Sequence, residues 1–251
     1  MKIKVTEISS DKNLPPIDFI LSDLKRFGVV QLNCNNYEIG QTLLKYLSEN
    51  LGLPSIDDVT NPNIEIPYIH EVKKVDSTII DKNGFIPYSL TNKELSCHTE
   101  DYFNAKASNI ILFYCVRKAE IGGETYLVNI DEIINDLTPT EIEFLSNTIF
   151  PTPTNLTSIL TYSQSEKKYH IKYSRIIINK VESKEPNRVT SEMITVFNKL
   201  DKLLSEHKTV FQLAENSCII LDNTRVLHGR SSFNENSDRL IFRIKLNSQE
   251  L

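Results

Sequence analysis

Apolar positions recur at helical spacing in some stretches of the chain and form unbroken or alternating runs in others. Ile17, Ile20, Leu21 and Leu24 share one face of a helix over Pro16 to Phe27, which Gly28 ends. Leu43, Leu44, Leu47 and Leu51 predict a second helix over Gln41 to Leu51, stopped by Gly52, and Met193, Phe197, Leu200 and Leu204 a third over Ser191 to Glu206. Thr138-Pro139-Thr140-Glu141 pairs a capping box with proline at the first helical position, so a short helix should run to Asn147. Strands are predicted over 28–33 and over 108–117, a β-branched and aromatic run suited to burial. A turn at Gly122-Gly123 leads into another over 124–130, and further candidates lie at 169–178, 209–213, 217–221 and 240–246. Strands in the core with helices before and between them point to an α+β protein built on an antiparallel, barrel-like sandwich.

Composition narrows the function classes. A chain of 251 residues, 40% hydrophobic and 24% charged, fits one domain spanning 1–251. Twenty-eight basic against 33 acidic residues, a net charge of −5, argue against a nucleic-acid footprint. No apolar run reaches membrane-spanning length, and the first residues lack the apolar stretch of a secretory signal. Cys34, Cys97, Cys115 and Cys218 are scattered without a C-x-x-C pair, which reads as buried free thiols in a reducing compartment; a cytoplasmic location is expected. No element suggests self-association, and the oligomeric state stays open.

The chemistry sits in two short stretches. His98-Thr99-Glu100 is followed, 128 residues after the glutamate, by His228 in Leu221-Asp222-Asn223-Thr224-Arg225-Val226-Leu227-His228-Gly229-Arg230. In an extended chain residues i and i+2 point to one side, so His98 and Glu100 can reach one metal together while Cys97 points away. With a histidine returned by the fold they make a 2-His-1-carboxylate set, which grips one face of ferrous iron and leaves the opposite positions open. Asp222-Asn223 reads as turn chemistry that positions the histidine strand. His70, His170 and His207 are given no ligand role.

Gly122-Gly123-Glu124-Thr125 and Asp238-Arg239-Leu240-Ile241-Phe242-Arg243, taken with Asp222-Asn223 and His228-Gly229-Arg230, resemble the TauD/TfdA family of Fe(II)- and 2-oxoglutarate-dependent oxygenases, to which clavaminate-synthase-like enzymes are related. The resemblance covers nearly the whole chain apart from 151–187. It implies a double-stranded β-helix (jelly-roll, cupin-like) core with flanking helices. His98, Glu100 and His228 would be the iron ligands. Arg239, eleven residues after the distal histidine, would bind the far carboxylate of 2-oxoglutarate, with Thr125 adding a hydrogen bond. Arg243 would share a strand face with Arg239 and help hold the co-substrate or an anionic substrate group. A planar, permanently charged guanidinium suits a carboxylate better than an ammonium does. Relatives that halogenate lack the ligand carboxylate; Glu100 keeps it, so hydroxylation or another oxygenative outcome with O2 is implied, acting on a small polar molecule such as a free amino acid.

Asp101, Tyr102 and Asn104, just past the ligand pair, are placed to hold an amine or hydroxyl of a small-molecule substrate. Arg225 and Arg230 flank the distal histidine, and either is placed to neutralise a substrate carboxylate. The tyrosine-rich stretch 162–173 is a candidate lid. Two rival classes stay open: a cupin-type metalloenzyme that does not use 2-oxoglutarate, and a non-catalytic relative that only binds a ligand.

Overall fold

The computed structural model of the chain describes residues 1–55, 61–62, 68–75, 88–101, 107–151 and 156–251. Its first part runs β1 (Lys4–Ile8), α1 (Ile17–Phe27), β2 (Val29–Cys34), α2 (Tyr37–Asn50), β3 (Leu53–Pro54), β4 (Asn61–Pro62) and β5 (His70–Val72). The middle holds β6 (Leu95–His98), β7 (Ile110–Arg117), β8 (Thr125–Asn129), α3 (Ile130–Ile133), α4 (Pro139–Asn147), β9 (Ile149–Pro151) and β10 (Leu156–Ser158). It closes with β11 (Leu160–Ser163), β12 (Lys168–Ile171), α5 (Arg175–Lys184), α6 (Ser191–His207), β13 (Thr209–Phe211), β14 (Ser217–Asp222), β15 (Val226–Arg230) and β16 (Leu240–Asn247).

Two sheets carry the fold. The larger has the order β1-β2-β14-β7-β16-β5-β4, with β3 also paired to β16; the smaller has the order β13-β8-β15-β6. Among the described pairs only β1 and β2 run parallel, joined through α1. Residues alternate between layers. On β14, Cys218 and Ile220 join the core beneath α1 and α2, while Ile219 and Leu221 face the inter-sheet core with Val29, Cys115, Leu127, Val226 and Ile241. Burial on both faces is why β7 and β14 read as unbroken apolar runs. The outer face of the small sheet, through Tyr126, Val128 and Leu227, packs on α5 and α6. The expected cupin-like core is therefore present as an open two-sheet sandwich with a helical layer on each side, not a closed barrel.

Local signals explain most boundaries. Thr138 and Glu141 close the capping box at the start of α4. Asn36 accepts from the backbone N–H of Ile39 and starts α2 four residues before the predicted Gln41. The predicted strand over 169–178 is only half right: β12 ends at Ile171 and α5 begins at Arg175. The β-branched run Ile176-Ile177-Ile178 favours a strand locally, but Ile178 and Val181 sit at helical spacing and bury in the core of the small sheet's outer face. β1 escaped the sequence pattern because it is an edge strand with one buried residue, Ile8. No helix among the described residues is long and apolar enough to cross a membrane.

Candidate active site

Strand pairing brings the two histidines together. His228 on β15 is the register partner of His98 at the end of β6, and the ring centroids are 4.4 Å apart. A bulge between His228 and Arg230 gives β6 an extra residue at this point. Gly229 makes the close approach possible, since a Cβ there would lie 2.4 Å from the carbonyl oxygen of Leu95. Phe113 reaches across from the large sheet, its ring 5.0 Å from that of His228.

Glu100 completes the cluster just beyond β6. Its Oε2 is 3.3 Å from His228 Nε2 and 3.9 Å from His98 Nε2, and one ligand atom from each residue lies within 4.8 Å of the others. Its Oε1 accepts from Arg243 Nη1 at 2.7 Å and lies 3.5 Å from Lys245 Nζ. One oxygen thus faces protein cations and the other faces the imidazoles. Burial pushes this carboxyl up, but Arg243, Lys245 and His228 outweigh it and hold Glu100 well below the usual carboxylate range. His98 Nδ1 is 3.0 Å from the carbonyl oxygen of Ser96, so it must carry the proton, leaving the Nε2 lone pair toward the cluster. Burial, and then the neighbouring His228, push His98 down to about 4. Neutral imidazole nitrogens and an ionised carboxylate oxygen form a donor set that fits a divalent first-row metal, so His98, Glu100 and His228 fit ferrous iron.

The backbone of the ligand segment is clamped from both sides. Asn223 accepts from Glu100 N at 2.9 Å and donates to Glu100 O at 3.0 Å and Ser108 O at 2.8 Å. Thr99 donates to Ile171 O at 3.1 Å, and its N–H bonds Tyr173 O at 2.8 Å. The turn chemistry expected of Asp222-Asn223 is there: Asp222 accepts from the N–H and hydroxyl of Thr224.

Arg239 and Arg243 share the inward face near β16, as alternation requires. Arg239 is 8% exposed, and among the described residues its guanidinium has neither a carboxylate nor a carbonyl partner; burial pushes it down to about 10. It lies against Gly123, where a Cβ would come within 3.4 Å of Arg239 Cδ and Nε. Thr125 sits on β8, whose register partners on β15 place it on the same face as His228 and Leu127. Lys245, absent from the sequence expectations, continues the row: it is 1% exposed and holds both oxygens of Asp101 at 2.7 and 2.9 Å. Its i+2 spacing from Arg243 was the available signal.

Several expectations need correcting. Arg225 is not free for substrate: fully buried, it binds Asp222 at 2.7 Å, Asp131 at 2.8 Å and the carbonyls of Leu24 and Lys25. Arg230 is buried too, its Nη1 and Nη2 donating to the carbonyls of Lys93, Tyr88, Thr91 and Ser231 rather than facing a ligand. Tyr173 is no part of a lid, since it is 1% exposed and donates to Asp201 at 2.6 Å. Tyr102 and Asn104 lie outside the described residues. His207 pairs with Asp136 and His170 with Glu166, away from the metal cluster.

The sandwich gathers His98, Glu100 and His228 on its inner face, with Arg239 buried and without an anion among the described residues, as expected of an iron- and 2-oxoglutarate-dependent oxygenase. Similarity to known proteins agrees with the geometry. The chain belongs to the taurine catabolism dioxygenase TauD, TfdA family, whose model matches residues 47–245. It is an Fe(II)- and 2-oxoglutarate-dependent dioxygenase. No curated protein sequence matches it. Among solved structures it is similar to an asparagine oxygenase in complex with Fe(II), 2S,3S-3-hydroxyasparagine and succinate: TM-score 0.71, 14% identity, covering 92% of this chain and 80% of that one. It is also similar to the non-heme iron oxygenase OrfP in complex with Fe, succinate and (3S)-hydroxy-L-Arg: TM-score 0.70, 16% identity, covering 95% of this chain and 83% of that one.

Proposed function

We propose that this dioxygenase hydroxylates an unactivated C–H bond of a small polar metabolite, a free amino acid or close derivative. Substrate, 2-oxoglutarate and dioxygen become hydroxylated product, succinate and carbon dioxide, with one oxygen atom in the new hydroxyl and the other in succinate. Ferrous iron, when bound, supplies the redox chemistry that activates dioxygen. In this proposal His98 and His228 offer Nε2 and Glu100 offers Oε2 to the metal, while Arg243 holds Oε1 out of the way. Arg239 takes the distal carboxylate of 2-oxoglutarate and Thr125 adds a hydrogen bond. Asp101, held by Lys245, is proposed for an amine or hydroxyl of the substrate, as are Tyr102 and Asn104 from their place in the sequence alone.

The observation that carries the assignment is Arg239, a buried cation with no anion among the described residues, four residues before the Arg243 that binds Glu100 of the His98, Glu100 and His228 cluster. A dicarboxylate that chelates the metal at one end supplies the missing partner at the other. The amino-acid class is supported by the hydroxylated amino acids bound in both structural neighbours.

The test is a panel of amino acids and derivatives with Fe(II), ascorbate and 2-oxoglutarate, following succinate release and product mass. One substrate-dependent succinate per product gaining one oxygen atom is the expected result. Substrate-dependent turnover confined to compounds outside the panel would sink the amino-acid class, and turnover that ignores 2-oxoglutarate would sink the whole proposal.

A further inference from the structure

The loop between β15 and β16 contains an aromatic ring that the proposed chemistry does not use. Phe233 is 6% exposed and lies beneath two guanidiniums, with Arg230 Cζ 4.8 Å and Arg239 Cζ 5.4 Å from its centroid. The two are served differently. Arg230 is tied to the carbonyls of Tyr88, Thr91 and Lys93, which fixes it to the segment leading into β6. The Arg239 guanidinium has no carboxylate or carbonyl partner among the described residues; it meets the Phe233 ring and lies by Gly123, with Cys115 and Arg230 also near.

Phe233 cannot easily retreat. Its N–H donates to Asn92 O at 3.1 Å, its carbonyl accepts from Asn92 Nδ2 at 3.3 Å, and it bridges Gly122. Gly123 N–H bonds Ser232 O at 3.0 Å. At φ +76 and with only 2.1 Å between a would-be Cβ and Ser232 O, Gly122 is needed for that seam. A ring fixed this way is a floor under the Arg239 side chain, and the cation–π contact draws the guanidinium onto it.

We propose that Phe233, braced by Arg230, is a positioning residue that sets how deeply the Arg239 guanidinium lies and thereby selects the length of the 2-oxo dicarboxylic acid. The proposal rests on Arg239 as the distal-carboxylate anchor. On this proposal the floor holds Arg239 at the depth that 2-oxoglutarate needs; with the ring gone, Arg239 would settle further back and admit the next homologue, 2-oxoadipate. A well-formed pocket separates ligands that differ by one methylene by about 10- to 200-fold, so loss of the floor should compress the preference by roughly tenfold.

The test compares the wild type with Phe233→Ala, Phe233→Tyr and Arg239→Gln. Dissociation constants of 2-oxoglutarate and 2-oxoadipate are measured by calorimetry on the iron-loaded protein without oxygen, and kcat/KM for each diacid in air. Phe233→Ala should compress the ratio between the diacids in both measurements and leave KM for the primary substrate unchanged; Phe233→Tyr should keep the wild-type ratio. If Phe233→Ala weakens both diacids equally, the ring is only structural and the proposal fails. Should Phe233→Ala not fold, Phe233→Val reads the same ratio, and an unchanged ratio there is equally fatal. Arg239→Gln separates the two levels. If it leaves 2-oxoglutarate binding intact, the anchor assignment falls and the inference with it. If it weakens binding more than about tenfold while the Phe233 variants keep the ratio, only the inference falls.

Discussion

Asn223→Ala tests whether the metal cluster depends on a side chain that never touches it. The carboxamide is 2% exposed and satisfies Glu100 N, Glu100 O and Ser108 O with bonds of 2.9, 3.0 and 2.8 Å. Truncation strands three backbone groups away from bulk solvent, each at about 1–3 kcal/mol. Water entering the vacated volume recovers part of that, so a loss of about 3 kcal/mol is expected. For a chain of this size that corresponds to a melting point lower by roughly 6–12 °C. Because two of the bonds fix the backbone that carries Glu100, iron affinity should also drop by about 10- to 100-fold. Asn223→Asp keeps the acceptor for Glu100 N but sets oxygen against the two carbonyls, and should be no better. Denaturant melts of the metal-free protein give the first quantity, and competition with a chelator for Fe(II) gives the second. A destabilised variant with wild-type iron affinity would refute the clamp as a positioning device, and an unchanged melt would refute the energetics.

Two further outcomes follow from single contacts. Gly229→Ala places a Cβ 2.4 Å from Leu95 O, so β6 and β15 must part where His98 pairs with His228; iron affinity by chelator competition should fall at least tenfold, with about 1–3 kcal/mol of stability lost. Glu141 caps α4 and pairs with Lys199 of α6, and that hydrogen bond, outweighing desolvation, holds its carboxyl below the ordinary 4.5. A depressed carboxyl stabilises the fold above its unfolded pKa and loses that contribution as pH falls through the folded one. Discounted for partial exposure, the wild type should exceed Glu141→Gln by about 1 kcal/mol at pH 7, and in parallel urea melts that margin should shrink as the pH falls below the ordinary carboxylate range.

How far the sequence reveals the protein depends on whether a residue acts through its neighbours in the chain or across the fold. The i, i+2 spacing of His98 and Glu100 and the i, i+4 spacing of Arg239 and Arg243 each keep one side of an extended chain, and they were legible. So were the capping box at Thr138 and the glycine at the end of α1. Most partners of Arg225 and Arg230 were not, because apart from Asp222 and Ser231 their acceptors are carbonyls and a carboxylate 90 or more positions away. An arginine beside a histidine ligand looks the same in sequence whether it meets substrate or anchors a loop. Lys245 lies between these cases: the alternation that linked Arg243 to Arg239 extends to it, but its partner Asp101 belongs to another segment.

The sandwich divides the chemistry between its two sheets. The small sheet contributes the imidazoles through β6 and β15 and Thr125 through β8; the large sheet contributes Arg243 and Lys245 through β16, with Arg239 just before it. Glu100 belongs to neither sheet and meets both, one oxygen toward the histidines and one toward Arg243. Any shear of one sheet over the other would pull that carboxylate between a metal and a guanidinium. The Asn223 clamp, just past β14 of the large sheet, holds the backbone of Glu100 in place between the two sheets. Stability of the sandwich and geometry of the site are on this account one property, so core substitutions at the inter-sheet layer, such as those of Leu127 or Ile241, should disturb iron binding before they unfold the chain.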